Sequence, residues 1–369
     1  MPVIESLRIG CAVYDRGRPD LVWGTGRFRH AALVALVRSD CGAFGVGISW
    51  AHLGDEAGYP GSAQTALAEV VVGQDVTVPF ASSSLVTSRA HGLGYGRAAA
   101  VVEAALFDLA GRRLGVPTHH LLGAKRRELP SYVISAEEFS FTEVAQFVDL
   151  AHRYVEAGFR ACKFHLWGER DRDLAACEAI RLALGPDIGL MLDPVGRYGR
   201  DDALAVGRAI GELGFIRYED PLSPLDPAGY RWLAPRIDVP IVVNESLRWS
   251  PSECGEAARA GAAQGFRLDV GRSGFTLGLS FASAAEANGA ELDVAAFAPR
   301  GGLEACIAMS LAATTSRWFE HHEAVGLDEV PGVAPGFEIA GGLARTKDRP
   351  GLGCEIDLPE LERHCVWAA

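Results

Sequence analysis

Long uncharged apolar runs are missing from this chain of 369 residues. The nearest candidate, Ala305 to Ser316, falls short of the roughly 18 residues that cross a bilayer and is closed by Glu304 and Arg317. A membrane span is therefore excluded. The N-terminus carries Glu5 and Arg8 in an alternating pattern and has no basic segment followed by an apolar core, so no secretory signal is visible and the chain is expected in the cytoplasm. Basic runs are also scarce, none being longer than Lys125-Arg126-Arg127, and 35 basic against 47 acidic residues leave a formal charge of −12. Such a surface repels nucleic acid and anionic lipid. The eight cysteines lie far apart, with no C-x-x-C pair and no Cys/His cluster at zinc spacing. They read as buried small hydrophobes in a reducing compartment. The glycine-rich Gly92 to Gly96 follows no clear strand and carries no Lys-Ser/Thr, so it makes a poor phosphate cradle.

What is present is a chain 49% hydrophobic and 22% charged, enough for roughly two domains of about 150 residues. Alternating segments at Ser6 to Val13, Ala31 to Ser39 and Phe44 to Trp50 predict three antiparallel strands, with loops at Asp15 to Phe28 and His52 to Gly61. Helical periodicity follows at Ala63 to Val72 and Arg97 to Leu114, the latter stopped by Gly115-Val116-Pro117. This predicts an α+β capping domain over residues 1–124. From Leu129-Pro130 the pattern becomes a short β-rich run followed by an amphipathic helix, repeated. The first unit has a strand at Ser131 to Ser135, a cap at Thr142 and a helix ended by Gly158. Seven more strands are expected at Arg160 to His165, Ile188 to Asp193, Phe215 to Glu219, Ile241 to Glu245, Gly265 to Asp269, Glu291 to Ala296 and Arg317 to Glu320. Eight strands alternating with helices point to an α/β fold, a closed (β/α)8 TIM-type barrel over residues 125–328. The weakly patterned tail, residues 329–369, is expected to return to the first domain.

Parallel strands are buried on both faces, so an ionisable residue on one needs a reason. Here they recur at strand ends: Lys163 and His165 on the second strand, then Asp193, Glu219, Glu245, Asp269, and Glu320 on the eighth. From Lys163 to Asp269 the steps are 30, 26, 26 and 24 residues, which follow the βα repeat and converge these groups at the C-terminal mouth. Asp193, Glu219 and Glu245 together would repel one another unless a cation sat among them, and oxygen ligands without Cys or His favour Mg2+. One such carboxylate alone reads better as a helix cap or an arginine partner; three in register favour the metal. Lys163 and His165, two apart, share one face while Cys162 and Phe164 turn to the helices. A cation and an imidazole facing Mg2+ suit a carboxylate substrate whose α-proton is removed, with either residue as base. Their ordinary reading is a paired lysine and a core histidine. His321 and His322 follow the eighth strand and read as loop groups or as groups supporting the site from behind rather than as ligands, and His119-His120 as surface or interdomain contacts.

Taken together these residues resemble the enolase superfamily, in the branch of mandelate racemase and the acid-sugar dehydratases. The resemblance runs nearly end to end and rests on Glu103 to Gly111 with Pro117 and Leu121-Leu122-Gly123; Lys163-Phe164-His165; Leu192-Asp193-Pro194; Tyr218 to Leu222; Asn244-Glu245-Ser246; and Asp269 to Gly274. It implies a capping domain, a modified barrel, and Mg2+ on Asp193, Glu219 and Glu245 chelated by the substrate carboxylate. It also implies an enediolate, with Glu320 hydrogen-bonding that carboxylate. Two departures stand out. The usual Lys-x-Lys is Lys163-x-His165, which puts an imidazole at the base position. Strand seven, Val294-Ala295-Ala296-Phe297, lacks the histidine that would pair with Asp269.

The reaction these features favour is dehydration of a sugar acid to a 2-keto-3-deoxy acid. The alternatives are a racemase, epimerase or cycloisomerase using the same enediolate, and a barrel that only binds a ligand. Capping loops carrying Arg16, Arg18, Trp23 and His52, with Tyr14, are expected to select the distal end of a small sugar-acid substrate. The chain is expected to form a homo-oligomer.

Overall fold

The computed structural model describes residues 1–15, 29–51, 59–91, 96–135, 137–243, 249–323 and 329–368. The expected capping loops, the Gly92 to Tyr95 segment and Glu245 fall outside these residues, apart from Asp15, which ends a strand, and Tyr59 to Gly61, which open a helix.

The first sheet is antiparallel. Strands β1 (Ile4–Asp15), β2 (Arg29–Ser39) and β3 (Phe44–Ala51) form a meander, and the C-terminal β16 (Cys365–Trp367) pairs with β1 on its outer edge. One face carries helices α1 (Tyr59–Val71), α2 (Pro79–His91) and α3 (Gly96–Leu114) over a core of Ile9, Leu33, Leu67, Val101 and Leu109. Helix α2, rich in serine, had no apolar period to announce it. Helix α3 lies directly on β3 because Gly45 and Gly47 lack side chains there; a Cβ would come within 2.2 Å of Ala105 O and 1.9 Å of Val101 O. The other face packs Tyr14, Val34 and Ile48 against Val330, Val333 and Leu361. Tyr14 is thus a buried strand residue in the core, not a loop residue available to a substrate, because its place in the β1 alternation turns it to that face.

A one-turn helix α4 (Thr118–Leu121) leads into eight parallel strands: β4 (Glu128–Ile134), β5 (Ala161–Phe164), β6 (Gly189–Leu192), β7 (Arg217–Glu219), β8 (Ile241–Val243), β9 (Gly265–Asp269), β10 (Glu291–Ala295) and β11 (Phe319–His322). Between them run α5 (Val144–Glu156), α6 (Arg170–Leu184), α7 (Arg200–Glu212), α8 (Pro227–Leu233), α9 (Pro251–Arg259), α10 (Val270–Ala287) and α11 (Leu303–Ala312). Successive strands pair from β4 through β10, and β11 returns to pair with β4, giving a barrel-like sheet with helices outside. On β5, Cys162 and Phe164 face the helices among Phe147 and Tyr154, so Lys163 faces the interior.

Several boundaries differ from expectation by a few residues. Glu143, not Thr142, precedes α5, because Gln146 Oε1 accepts both the Thr142 and Glu143 backbone N–H groups at 2.9 Å and pulls the start one residue on. Strand eight begins at Phe319, since Arg317 is exposed, and runs on through His321 and His322, which are therefore strand residues. The tail β12 (Val333–Ala334), β13 (Phe337–Ala340), β14 (Leu343–Thr346), β15 (Glu355–Ile356) and α12 (Leu358–His364) reaches both sheets: β14 adds antiparallel to β4, whereas β16 joins β1. Among the described residues no helix is long and apolar enough to cross a membrane.

Two buried carboxylates fasten these layers. Asp108 of α3 accepts the N–H groups of Val46 (3.0 Å) and Leu352 (2.8 Å) and pairs with Arg112. Glu103 accepts those of Phe275 (2.7 Å) and Thr276 (3.0 Å), where α10 restarts after a break at Gly274, φ 69°.

Candidate active site

Side chains alternate along the strands, so every second residue of β5, β7, β9, β10 and β11 enters the barrel. The interior is filled by charge where branched aliphatics are usual. Lys163 Nζ lies 3.0 Å from Glu219 Oε1, 3.2 Å from Glu320 Oε1 and 3.7 Å from Asp193 Oδ2. Arg267 binds Glu219 through Nε at 3.1 Å, Asp293 through Nη1 at 2.8 Å and both oxygens of Glu320 through Nη2 at 3.0 and 2.9 Å. Arg217 reaches Asp293 and Glu291, each at 2.8 Å. The Tyr132 hydroxyl accepts from Arg267 at 2.6 Å and lies 3.0 and 3.1 Å from Asp293 and Glu320.

His165 sits at the mouth end of β5. Its Nδ1 and its backbone N–H, the latter at 3.1 Å, both bond Glu138 Oε1, and Phe139 stacks on the ring at 5.1 Å. Its Nε2 then points at Asp193 Oδ2, 3.2 Å away. Burial alone would discharge this imidazole, but Glu138 and Asp193 outweigh it and raise the pKa to about 10. Burial opposes the Lys163 charge too, and so does Arg267, yet Glu219, Glu320 and Asp193 hold its pKa above the ordinary value.

The carboxylates are unequal. Burial lifts Glu219 to about 8 against the pull of Arg267 and Lys163, with Asp193 adding to the rise. Asp193 is held well below the usual range: burial is overcome by His165 and Lys163, and Glu219 adds a hydrogen bond. Glu320 is likewise ionised, since Arg267 and Lys163 overcome its burial. Its oxygens are taken by Arg267, Tyr132, Lys163 and the Ala296 N–H at 2.8 Å. Glu320 is thus a counterion to Arg267 and Lys163 in this arrangement.

A divalent cation fits this donor set. In the network Lys163, Arg217 and Arg267 bring three positive charges, while Asp193, Glu219, Glu291, Asp293 and Glu320 bring five negative ones; His165 and Glu138 offset each other. With every group ionised the difference is −2, and burial with Asp193 beside it raises the pKa of Glu219, the direction expected of carboxylates crowded together. The third ligand expected, Glu245, lies outside the described residues, two positions past β8.

Asp269 stands apart from this cluster. It caps α10, accepting the Gly271 N–H at 2.8 Å and pairing with Arg272 Nε at 3.0 Å. Strand β10 ends in buried Ala295 and Ala296. Above it, Trp50 from the end of β3 packs on Phe297 at 5.9 Å and carries Arg97 at 3.7 Å and Arg272 at 5.3 Å on its ring, so the first sheet overhangs the ends of β9 and β10. Sequence reasoning passed over Glu138, Tyr132 and Arg267, and did not place His322 on the strand. Residue His322 is two on from Glu320, hence on the same side of β11; it touches Phe297 at 5.5 Å, and burial drops its pKa to about 3. The signal available was charge at i and i+2, in Arg217-x-Glu219, Arg267-x-Asp269, Glu291-x-Asp293 and Glu320-x-His322.

The family described as enolase C-terminal domain-like matches residues 146–361, and the mandelate racemase / muconate lactonizing enzyme N-terminal domain matches residues 15–123. Among curated relatives, o-succinylbenzoate synthase of Geobacillus kaustophilus is 30% identical over 73% of this chain and 71% of its own length. The L-talarate/galactarate dehydratase of Salmonella typhimurium is 28% identical over 88% of this chain and 80% of its own. Among solved structures, the D-glucarate dehydratase of Agrobacterium tumefaciens, complexed with magnesium, superposes with a TM-score of 0.85 at 26% identity, covering 98% of this chain and 99% of that one. The chain belongs to the mandelate racemase / muconate lactonizing enzyme family of the enolase superfamily.

Proposed function

We propose that this chain is a Mg2+-dependent enzyme that removes the proton α to the carboxylate of a sugar acid and expels the β-hydroxyl, yielding a 2-keto-3-deoxy acid. Asp193, Glu219 and Glu245 would hold the ion. Bound there, it would supply positive charge to the substrate carboxylate as the α-carbon becomes more acidic. The observation that carries the reading is one-sided: Lys163 and His165 lie side by side on β5 against two buried carboxylates, while β10 ends in alanines. In this reading His165 Nε2 takes the α-proton in its neutral form, which requires Asp193 to be drawn off Nε2, and then returns a proton to the departing β-hydroxyl, which leaves as water. Glu138 fixes the ring through Nδ1 and Phe139 limits its tilt, which leaves Nε2, now 3.2 Å from Asp193, as the nitrogen available for this role. Lys163, aimed by Glu320 and Glu219, neutralises the substrate carboxylate. Arg267 keeps Glu219 and Glu320 in place. The dehydratases among its relatives support the choice of reaction.

We assign residues 1–124 to the capping unit, 125–328 to the catalytic barrel and 329–369 to the returning segment. A library of acid sugars incubated with Mg2+ and assayed for 2-keto acid tests the proposal. Turnover of one or a few acids, abolished by His165→Asn, is expected; turnover surviving that substitution, or no 2-keto acid from any sugar acid, overturns it. An epimerase is favoured by one observation, the second imidazole of His322 at the mouth. That reading requires α-proton exchange in both epimers, with His322→Asn removing one of them.

A further inference from the structure

Away from the barrel mouth, a second cluster of ligand-bearing side chains joins the α4 turn to the returning segment. His119 and His120 lie on α4, and Asp348 follows β14 by two residues. One nitrogen from each histidine and one Asp348 oxygen lie within 4.8 Å of one another. The His119 Nε2 to Asp348 Oδ1 distance is 3.7 Å. His119 is only 3% exposed, yet its Nε2 has no hydrogen-bond partner, and neither do Asp348 Oδ1 and Thr346 Oγ1. Buried polar atoms are normally satisfied, so three orphans in one place ask for an occupant. His119, Thr346 and Asp348 line a common cavity of about 10 Å3, room for one water-sized body. Asp348 also holds φ at 56°, a left-handed backbone that a non-glycine residue adopts at a cost. Arg127 grips the other oxygen, Oδ2, at 2.8 Å and leaves Oδ1 turned to the cavity.

We propose that His119, His120 and Asp348 form a second metal site, selective for a borderline transition ion of the Zn2+ class and distinct from the Mg2+ carboxylates. Two imidazoles and one carboxylate oxygen are donors that Zn2+ takes and Mg2+ declines. Tetrahedral ligands at about 2.0–2.1 Å from zinc sit roughly 3.4 Å apart. The 3.7 Å pair is close to that, and the other pairs, within 4.8 Å, must draw together when an ion binds. A water hydrogen-bonded to Thr346 completes the shell. Water alone would satisfy the orphan atoms, but it gives no reason for a second imidazole to converge with them. The site reinforces a junction already made by the Thr118 N–H to Gly351 O bond at 2.7 Å and the Gly351 N–H to Val116 O bond at 3.0 Å. Its role is therefore a staple between the linker and the C-terminal segment. The Arg127 cation opposes the ion, so the site is a weak one that tightens when this charge is removed.

Tag-free full-length protein in excess Mg2+, titrated with Zn2+ and with Co2+ and analysed by equilibrium dialysis, tests the assignment. One equivalent of Zn2+ per chain is expected, displacing Co2+ whose visible absorption reports low coordination. His119→Ala and His120→Ala should each weaken binding at least tenfold, Arg127→Gln should tighten it severalfold, and Glu219→Gln should leave it unchanged. Zn2+ should raise the Tm of the parent but not of His119→Ala. Should His119→Ala fail to fold, Asp348→Asn, on a solvent-reached carboxylate, gives the same readout. No Zn2+ bound in excess Mg2+, binding that survives loss of His119 or Asp348, or binding lost in Glu219→Gln overturns the proposal.

Discussion

Replacing Glu103 by glutamine separates charge from shape at the junction of the two sheets. The side chain is 1% exposed, accepts the Phe275 and Thr276 N–H groups and receives the Thr87 hydroxyl. Burial raises its pKa from 4.5 to about 7, even though these three hydrogen bonds pull it down. The folded state thus prefers the protonated acid. Its stabilising contribution is complete below the unfolded pKa near 4.5 and is lost as pH rises through 7. A shift of about 2.5 units at about 1.36 kcal/mol each makes this loss about 3 kcal/mol. The glutamine side chain keeps an oxygen for the two N–H groups and an amide for Thr87, and it does not titrate. At about 2.1 cal/mol/K per residue the unfolding entropy is about 0.8 kcal/mol/K, so 3 kcal/mol corresponds to about 4 °C. Part of this loss already lies below pH 5, so differential scanning at pH 5 and pH 8, at one ionic strength, should show Tm of Glu103→Gln minus Tm of the parent rising by about 3 °C. A difference that is the same at both pH values, within about 0.5 °C, refutes the argument that burial dominates at Glu103.

Arg267→Met leaves Glu219, Asp293 and Glu320 short of a cation in the barrel interior; breaking a buried pair costs about 3–5 kcal/mol, so Tm should fall by about 5 °C, and a fall under 1 °C would sink this account of the interior. Glu219→Gln should weaken Mg2+ at least tenfold in a calorimetric titration after chelation, and equal affinity would remove Glu219 from the ion's ligands. Glu138→Gln should reduce kcat roughly 10- to 100-fold with little change in KM, since partners that orient a functional histidine act on its alignment; a purely structural role would show instead as a lower Tm with kcat unchanged.

The strand-end register of Lys163, His165, Asp193 and Glu219 was legible because the period of two and the βα repeat act together: a buried strand displays its inward residues at every second position. The outward turn of Cys162 and Phe164 followed from the same rule. Arg217, Arg267 and Asp293 were visible as alternating charge but went unweighed, because barrel interiors are usually filled with branched aliphatics. Glu138 could not be read at all. It lies on the single 3-10 turn Glu137–Ser140, whose polar residues look like any connecting loop, and only the fold brings it under His165. His322 was misplaced by two residues at one boundary, which moved it from strand to loop. In α3, Glu103 and Asp108 stood out as motif residues, and their reason is now physical: each satisfies backbone N–H groups of a different segment.

Proton exchange in D2O tests the central claim most directly. With Mg2+ and a turned-over sugar acid, deuterium exchange or loss at the α-carbon, followed by NMR, should occur in the one epimer that presents its proton to β5, and His165→Asn should abolish it. Rapid exchange in both epimers, or exchange that persists in His165→Asn, would contradict a single proton acceptor on that strand.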